Sequence, residues 1–213
     1  MVSSTEKLIF VRHCLTDYDI AGPEGRFLGN SNPPLNENGL AEAKVLSEEL
    51  KNIPFDKAYV GESKRCQQTL DFILQHHNIP KEINPLLNEI NYGEWEGLTK
   101  ETIVNQFAKE WNKFENDPEL YIPPFGEKTK ECADRAETWL NSAVCKYGLV
   151  VIDKTWLRLL ICRILGIPLK YYRDVFDIKI ASVTVLLTTK KGRRIEAINY
   201  SATKKRIYGI TNS

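Results

Sequence analysis

Histidine is scarce in this chain: among 213 residues only His13, His76 and His77 carry an imidazole. Any imidazole chemistry must run through one of those three. Other absences narrow the class further. No apolar run approaches the roughly 20 residues needed to cross a bilayer, and residues 1–7 lack the basic and apolar regions of a signal peptide. A cytoplasmic location with no membrane partner is therefore expected. Neither sign of charge dominates, with 29 basic against 28 acidic side chains and a formal net charge of +1, so nothing global recruits nucleic acid. Cys14, Cys66, Cys132, Cys145 and Cys162 are odd in number, scattered, and form no C-x-x-C pair, which argues against a disulfide framework or a zinc site. No metal or cofactor is expected, and there is no internal repeat or low-complexity stretch.

What is present is an ordinary globular composition, 42% apolar and 27% charged, with room for one sizeable core. The expectation is a single domain over 1–213. Apolar runs alternate with helical patterns, the signature of an α/β three-layer sandwich with a mostly parallel central sheet and helices on both faces. Strands are expected at 7–12, 55–60 and 148–153, with a third unit over 83–98 and a terminal pair at 180–188 and 194–200 around a Lys-Lys-Gly turn. Helices are expected at 37–52 behind an Asn36 cap, at 63–75, at about 129–146 and at 155–165. The loop Gly22–Pro34 is long enough to be functional. The segment 98–130, carrying Trp111, Phe114 and the Pro123-Pro124 break, leaves open whether it forms a lid.

Two strand ends carry the chemistry. Arg12-His13 follows the buried run Leu8–Val11, and Asp153-Lys154 follows Gly148–Ile152. In open α/β sheets ligands sit beyond the carboxyl ends of strands, so an imidazole beside a guanidinium there suggests a nucleophile or proton shuttle next to an anion clamp. Arg65, in the first turn of the second helix, is a further anion-binding candidate. His76 and His77 lie about ten residues beyond that end, roughly 15 Å away at 1.5 Å per residue.

Val11-Arg12-His13-Cys14-Leu15-Thr16 resembles the R-H-G-x-T signature of the histidine phosphatase superfamily, the phosphoglycerate mutase-like proteins, with Cys14 in place of Gly. Gly29, Pro34-Leu35, Arg65 with Gln68-Thr69, Leu87-Asn88-Glu89, Gly93-Glu94-Trp95-Glu96-Gly97, Pro124-Phe125-Gly126-Glu127, Leu157-Arg158 and Ala181-Ser182-Val183-Thr184 agree with the family's pattern in order. The resemblance implies a phosphoglycerate mutase-like fold. It also implies His13 as the residue that attacks phosphorus, Arg12 and Arg65 as phosphoryl ligands, and Glu89 as the proton donor.

The departures are as informative. The family's second histidine falls on Asp153, Lys154 stands where Gly is usual, Asp19 replaces an Asn, and Thr16 is kept. Added acids oppose a phosphate dianion, so the expected function is a diverged enzyme of small-molecule metabolism. His13, Glu89 and Asp153 would carry its acid–base or nucleophilic chemistry on a small anionic or zwitterionic metabolite. Arg12, Arg65, Thr16, Asp19 and Lys154 would bind that substrate. Residual phosphomonoesterase activity through phospho-His13 and a pseudoenzyme with a binding role are the alternatives, and a homodimer is left open. Cys14 reads as a buried small residue, with a reactive thiol beside Arg12 as the other option.

Overall fold

The computed structural model describes residues 6–21 and 25–201. In chain order the elements are β1 (Glu6–Arg12), α1 (Glu37–Leu50), β2 (Lys57–Val60), α2 (Lys64–Ile73), β3 (Lys81–Ile83), α3 (Lys100–Gln106), α4 (Ala108–Asn116), α5 (Thr129–Ser142), β4 (Tyr147–Ile152), α6 (Lys154–Leu165), α7 (Tyr172–Val175), β5 (Ser182–Thr189) and β6 (Gly192–Ser201). The six strands form one sheet in the order β3-β2-β4-β1-β5-β6. β3, β2, β4 and β1 pair in parallel, while β5 runs antiparallel to β1 and closes a hairpin with β6. Because successive side chains on a strand point to opposite faces, β1 sends Leu8 and Phe10 into one core and Ile9 and Val11 into the other. The first core is aromatic, with Trp139 of α5 edge-on to Trp156 of α6 and Trp95 among Phe27, Trp111 and Phe114; the second is mainly aliphatic and lies under α1 and α2.

The expected α/β sandwich is the observed fold, with three differences at its edges. The helix expected to reach 146 ends at Ser142, because the Tyr59 hydroxyl donates to the Val144 carbonyl and accepts its amide N–H, fixing a turn before β4. The unit at 83–98 holds only the end of one short strand, followed by 3-10 turns at Pro85–Leu87 and Gly93–Trp95. The segment 98–130 folds into α3 and α4, and its Ile103, Trp111 and Phe114 are part of the aromatic core. Of the Gly22–Pro34 loop, residues 22–24 lie outside the described residues. Register fixes the site: Arg12 pairs with Ile152 across β1 and β4, so the next residues, His13 and Asp153, emerge side by side at the carboxyl edge.

Candidate active site

His13 is buried to 1% exposure, and both ring nitrogens have partners. Nδ1 lies 2.8 Å from the Cys14 carbonyl and Nε2 lies 3.2 Å from Asp153 Oδ1. Both neighbours carry acceptor oxygens. The same Asp153 Oδ1 accepts from Arg65 Nε at 2.6 Å, and Oδ2 accepts from the Cys66 thiol at 3.3 Å. Burial alone would push the Asp153 carboxyl up, but Arg65 and His13 outweigh it and hold the group well below the ordinary carboxylate range.

Arg65 departs from its expected role. Its other two nitrogens donate to the Ser31 and Gly29 carbonyls at 2.8 and 3.1 Å, and the side chain is fully buried. Each guanidinium nitrogen has one protein acceptor, two of the five N–H donors remain, and Arg65 is absent from the walls of the cavity described below. Those carbonyls are held in place by the Trp95-Glu96-Gly97 motif: Glu96 accepts the amides of Gly29, Asn30, Ser31 and Tyr92. Gly29 is required there, since a Cβ would come within 2.1 Å of the Ile90 carbonyl oxygen.

Arg12 is half committed. It donates from Nη1 to the Ile178 carbonyl at 2.7 Å and from Nη2 to Asp19 Oδ1 at 2.8 Å. Burial weakens its charge and Asp19 restores part of it. Asp19 Oδ2 accepts both the Thr16 amide and hydroxyl. Thr16, fully buried, therefore orients Asp19 and does not line the cavity, contrary to its expected place among the ligand-binding residues. The Cys14 thiol is buried and pushed up to about 12, which removes the option of a reactive thiolate.

Glu89 enters from the turn after Leu87. Its Oε1 accepts the Ile90 and Trp156 amides at 2.9 and 2.8 Å, and Oε2 accepts the Thr155 amide at 2.8 Å. Two of the first-turn donors of α6, which attract anions, are thus occupied by this carboxyl. Burial raises Glu89 to about 7, Asp153 adds to the rise, and the three amides oppose it.

A cavity of about 690 Å³ opens beside these groups. Arg12, His13, Asp19, Glu89, Asp153 and Lys154 line it, as the sequence leads one to expect, and so do Tyr92, Thr155, Arg158 and Tyr172. Glu115 and Pro118, at and just beyond the end of α4, belong to its wall. Arg158 was countable in advance, one turn of α6 beyond Lys154, whereas Tyr92 and Tyr172 carry no sequence signal of their own. His76 pairs with Glu48 and His77 packs against Phe55, away from the cavity. Among the described residues no cluster of histidine, cysteine and acidic side chains could hold a metal ion, and no helix is long and apolar enough to cross a membrane.

An imidazole, two guanidiniums and a buried carboxyl thus line one cavity at the carboxyl edge of a mixed sheet. The chain belongs to the histidine phosphatase superfamily (branch 1), whose sequence profile matches residues 8–201. It is 30% identical over 166 residues to the adenosylcobalamin/alpha-ribazole phosphatase of Salmonella typhimurium, covering 76% of this chain and 81% of that protein. To a 2,3-bisphosphoglycerate-dependent phosphoglycerate mutase of Bradyrhizobium diazoefficiens it is 33% identical over 142 residues, 62% of this chain and 65% of the other. The crystal structure of the alpha-ribazole phosphatase from Shigella flexneri matches with a TM-score of 0.81 at 25% identity, covering 91% of this chain and 96% of that one. The chain is thus a member of an enzyme family whose relatives are phosphatases and phosphomutases.

Proposed function

We propose that this member acts on a small anionic or zwitterionic metabolite held in the 690 Å³ cavity, and that a phosphohistidine cycle is not its main chemistry. The carrying observation is Asp153 Oδ1, which sits between His13 Nε2 at 3.2 Å and Arg65 Nε at 2.6 Å. Phosphoryl transfer to His13 needs an unprotonated ring nitrogen facing phosphorus, with guanidinium donors on the phosphoryl oxygens. Asp153, in the position that the family resemblance gives to a second histidine, occupies both. A carboxylate about 4 Å from one phosphate charge costs on the order of 4 kcal/mol at an effective dielectric of about 20, and a dianion meets more. Glu89, lining the cavity and poised near neutrality, is then the proton-carrying group. Arg12 and Lys154 supply anion recognition in place of an Arg12–Arg65 clamp.

The relatives point to probes: α-ribazole phosphate, phosphoserine (a phosphoserine phosphatase of Hydrogenobacter thermophilus is 26% identical over 170 residues, 78% of this chain and 79% of that protein) and phosphoglycerate, with p-nitrophenyl phosphate as a general substrate. The wild type is expected to hydrolyse all four near background and to yield no phosphohistidine at His13. Asp153→His is expected to raise p-nitrophenyl phosphate hydrolysis about tenfold or more and to make phospho-His13 detectable by mass spectrometry. Wild-type turnover through phospho-His13 at or above the rate of Asp153→His would establish the phosphomonoesterase instead. Ligand binding with no transformation of any bound metabolite would favour the pseudoenzyme.

A further inference from the structure

The inner corner of the cavity is electrostatically closed, but its α6 wall is not. Lys154 and Arg158 stand at i and i+4 on α6, one above the other on the same face. Both line the cavity, together with Arg12. The three cations are close enough to repel one another: Arg12 and Arg158 both weigh against the charge on Lys154. Lys154 forms no ion pair with Asp153, whose carboxylate oxygens are taken by Arg65, His13 and Cys66. Arg158 is 9% exposed and its Nε has no acceptor. Its one anionic neighbour, Asp177, lies 3.5 Å from Nη2, is largely exposed and also pairs with Lys179. The Thr155 and Trp156 amides of α6 are filled by Glu89. Two cationic side chains therefore share one wall, offset only by the largely exposed Asp177 and by Glu89, whose oxygens are engaged by backbone amides, an arrangement that a ligand anion would complete.

We infer that Lys154 and Arg158 form an oxyanion subsite that takes a carboxylate or phosphate group of the ligand on the α6 wall, apart from the His13–Asp153 corner. This rests on the cavity being the ligand site, as proposed above, but not on which chemistry follows. A point-charge ammonium and a planar guanidinium together accept either oxyanion. Burial and its two cationic neighbours lower Lys154 to about 8, so an arriving anion also relieves the strain of holding that charge.

Isothermal titration with inorganic phosphate and, separately, malonate tests it. Wild type is expected to bind at least one of the two, and which one is tighter tells phosphate from carboxylate. Lys154→Met and Arg158→Gln are each expected to weaken that binding about tenfold or more. Lys154→Arg should retain it, and Lys130→Met, an exposed lysine of α5 that does not line the cavity, should stay within about twofold. Lys154→Met should at the same time raise the melting temperature of the free protein, because the variant no longer holds a charge that burial, Arg12 and Arg158 disfavour; a merely structural lysine would lower it. A wild type that binds neither anion, a Lys154→Met that binds normally, or an equal loss in His13→Asn would each overturn the subsite. Phosphatase turnover by the wild type would overturn the proposed function and leave these affinities unaffected.

Discussion

The corner formed by His13, Arg65, Asp153 and Cys66 and the wall formed by Lys154 and Arg158 share one cavity edge yet treat charge in opposite ways. In the corner, each charged atom has a partner within 3.3 Å: Asp153 alone gathers an imidazole, a guanidinium and a thiol. On the wall, an ammonium and a guanidinium face the cavity with little to answer them. The difference separates structure from recognition. A charge that is already satisfied contributes rigidity and excludes a ligand of like sign, while an unsatisfied one costs stability and reserves a place for a ligand. Sequence position does not reveal which is which, since Asp153 and Lys154 are adjacent in the chain.

The largest expected effect comes from breaking the corner. Arg65→Met leaves Asp153 facing only His13 and Cys66 and strips the Ser31 and Gly29 carbonyls of their donor. Removing one partner of a buried pair costs about 3–5 kcal/mol, readable as a shifted midpoint in urea unfolding. Coupling Arg65→Met with Asp153→Leu should recover part of the loss, because the orphaned charge is gone. The pH dependence has a defined sign. The folded Asp153 carboxyl is held low, so its contribution is full above the unfolded value, about 3.9, and is lost as pH falls below it. Acid unfolding should therefore be less steep in Asp153→Asn than in wild type. An Arg65→Met variant as stable as wild type would show that the corner is not closed in the way the distances indicate.

Glu89 joins the two regions and gives the next largest effect. Its folded value, raised to about 7 by burial and by Asp153, exceeds the unfolded one near 4.3. The native state then binds the extra proton between those values, so this residue's contribution favours folding below about pH 4.3 and declines as pH rises through 7. The total is on the order of 3 kcal/mol. Urea unfolding of wild type and Glu89→Gln across that window isolates it: the wild type should lose stability relative to the variant as pH rises. Parallel profiles would mean that the three amides keep Glu89 ionised throughout, and would remove it as the proton-carrying group.

Strand ends were legible in the sequence because a buried apolar run followed by polar residues marks both the fold and the place where ligands sit. That placed His13 and Asp153 each at the carboxyl end of a strand, the family resemblance assigned both to one pocket, and the register of β1 against β4 sets them side by side. The family resemblance brought in Glu89, and helical spacing placed Arg65 at the start of α2. Direction was not legible. Arg65 sits behind Asp153 and not in the cavity wall, because its partners, Asp153 just after β4 and the carbonyls of residues 29 and 31, lie 88, 36 and 34 positions away in the chain. Thr16 was misplaced for a shorter-range reason, since Asp19 three residues later captures both its amide and its hydroxyl. Charge type predicts which groups gather at a site, but partner geometry decides which of them still face a ligand.

Asp19 offers the finest adjustment between the two regions, because it restrains Arg12, whose charge feels both Asp153 and Arg158. Its Oδ1 holds Arg12 Nη2 at 2.8 Å, while Oδ2 is fixed by Thr16. Asp19→Asn keeps an oxygen for Thr16 but removes the charge and turns an amide N–H₂ toward the guanidinium. Arg12 then stays anchored only through Ile178 and carries a less compensated charge at the cavity wall. Deleting one acid several ångströms from a bound oxyanion is worth about 1 kcal/mol, between the surface and aqueous limits of screening, or roughly a fivefold gain in phosphate affinity. Titration calorimetry at two ionic strengths reads it directly: the gain should shrink with added salt. An unchanged or weakened affinity would mean that the oxyanion on the α6 wall is out of reach of Arg12, and would confine its recognition to Lys154 and Arg158.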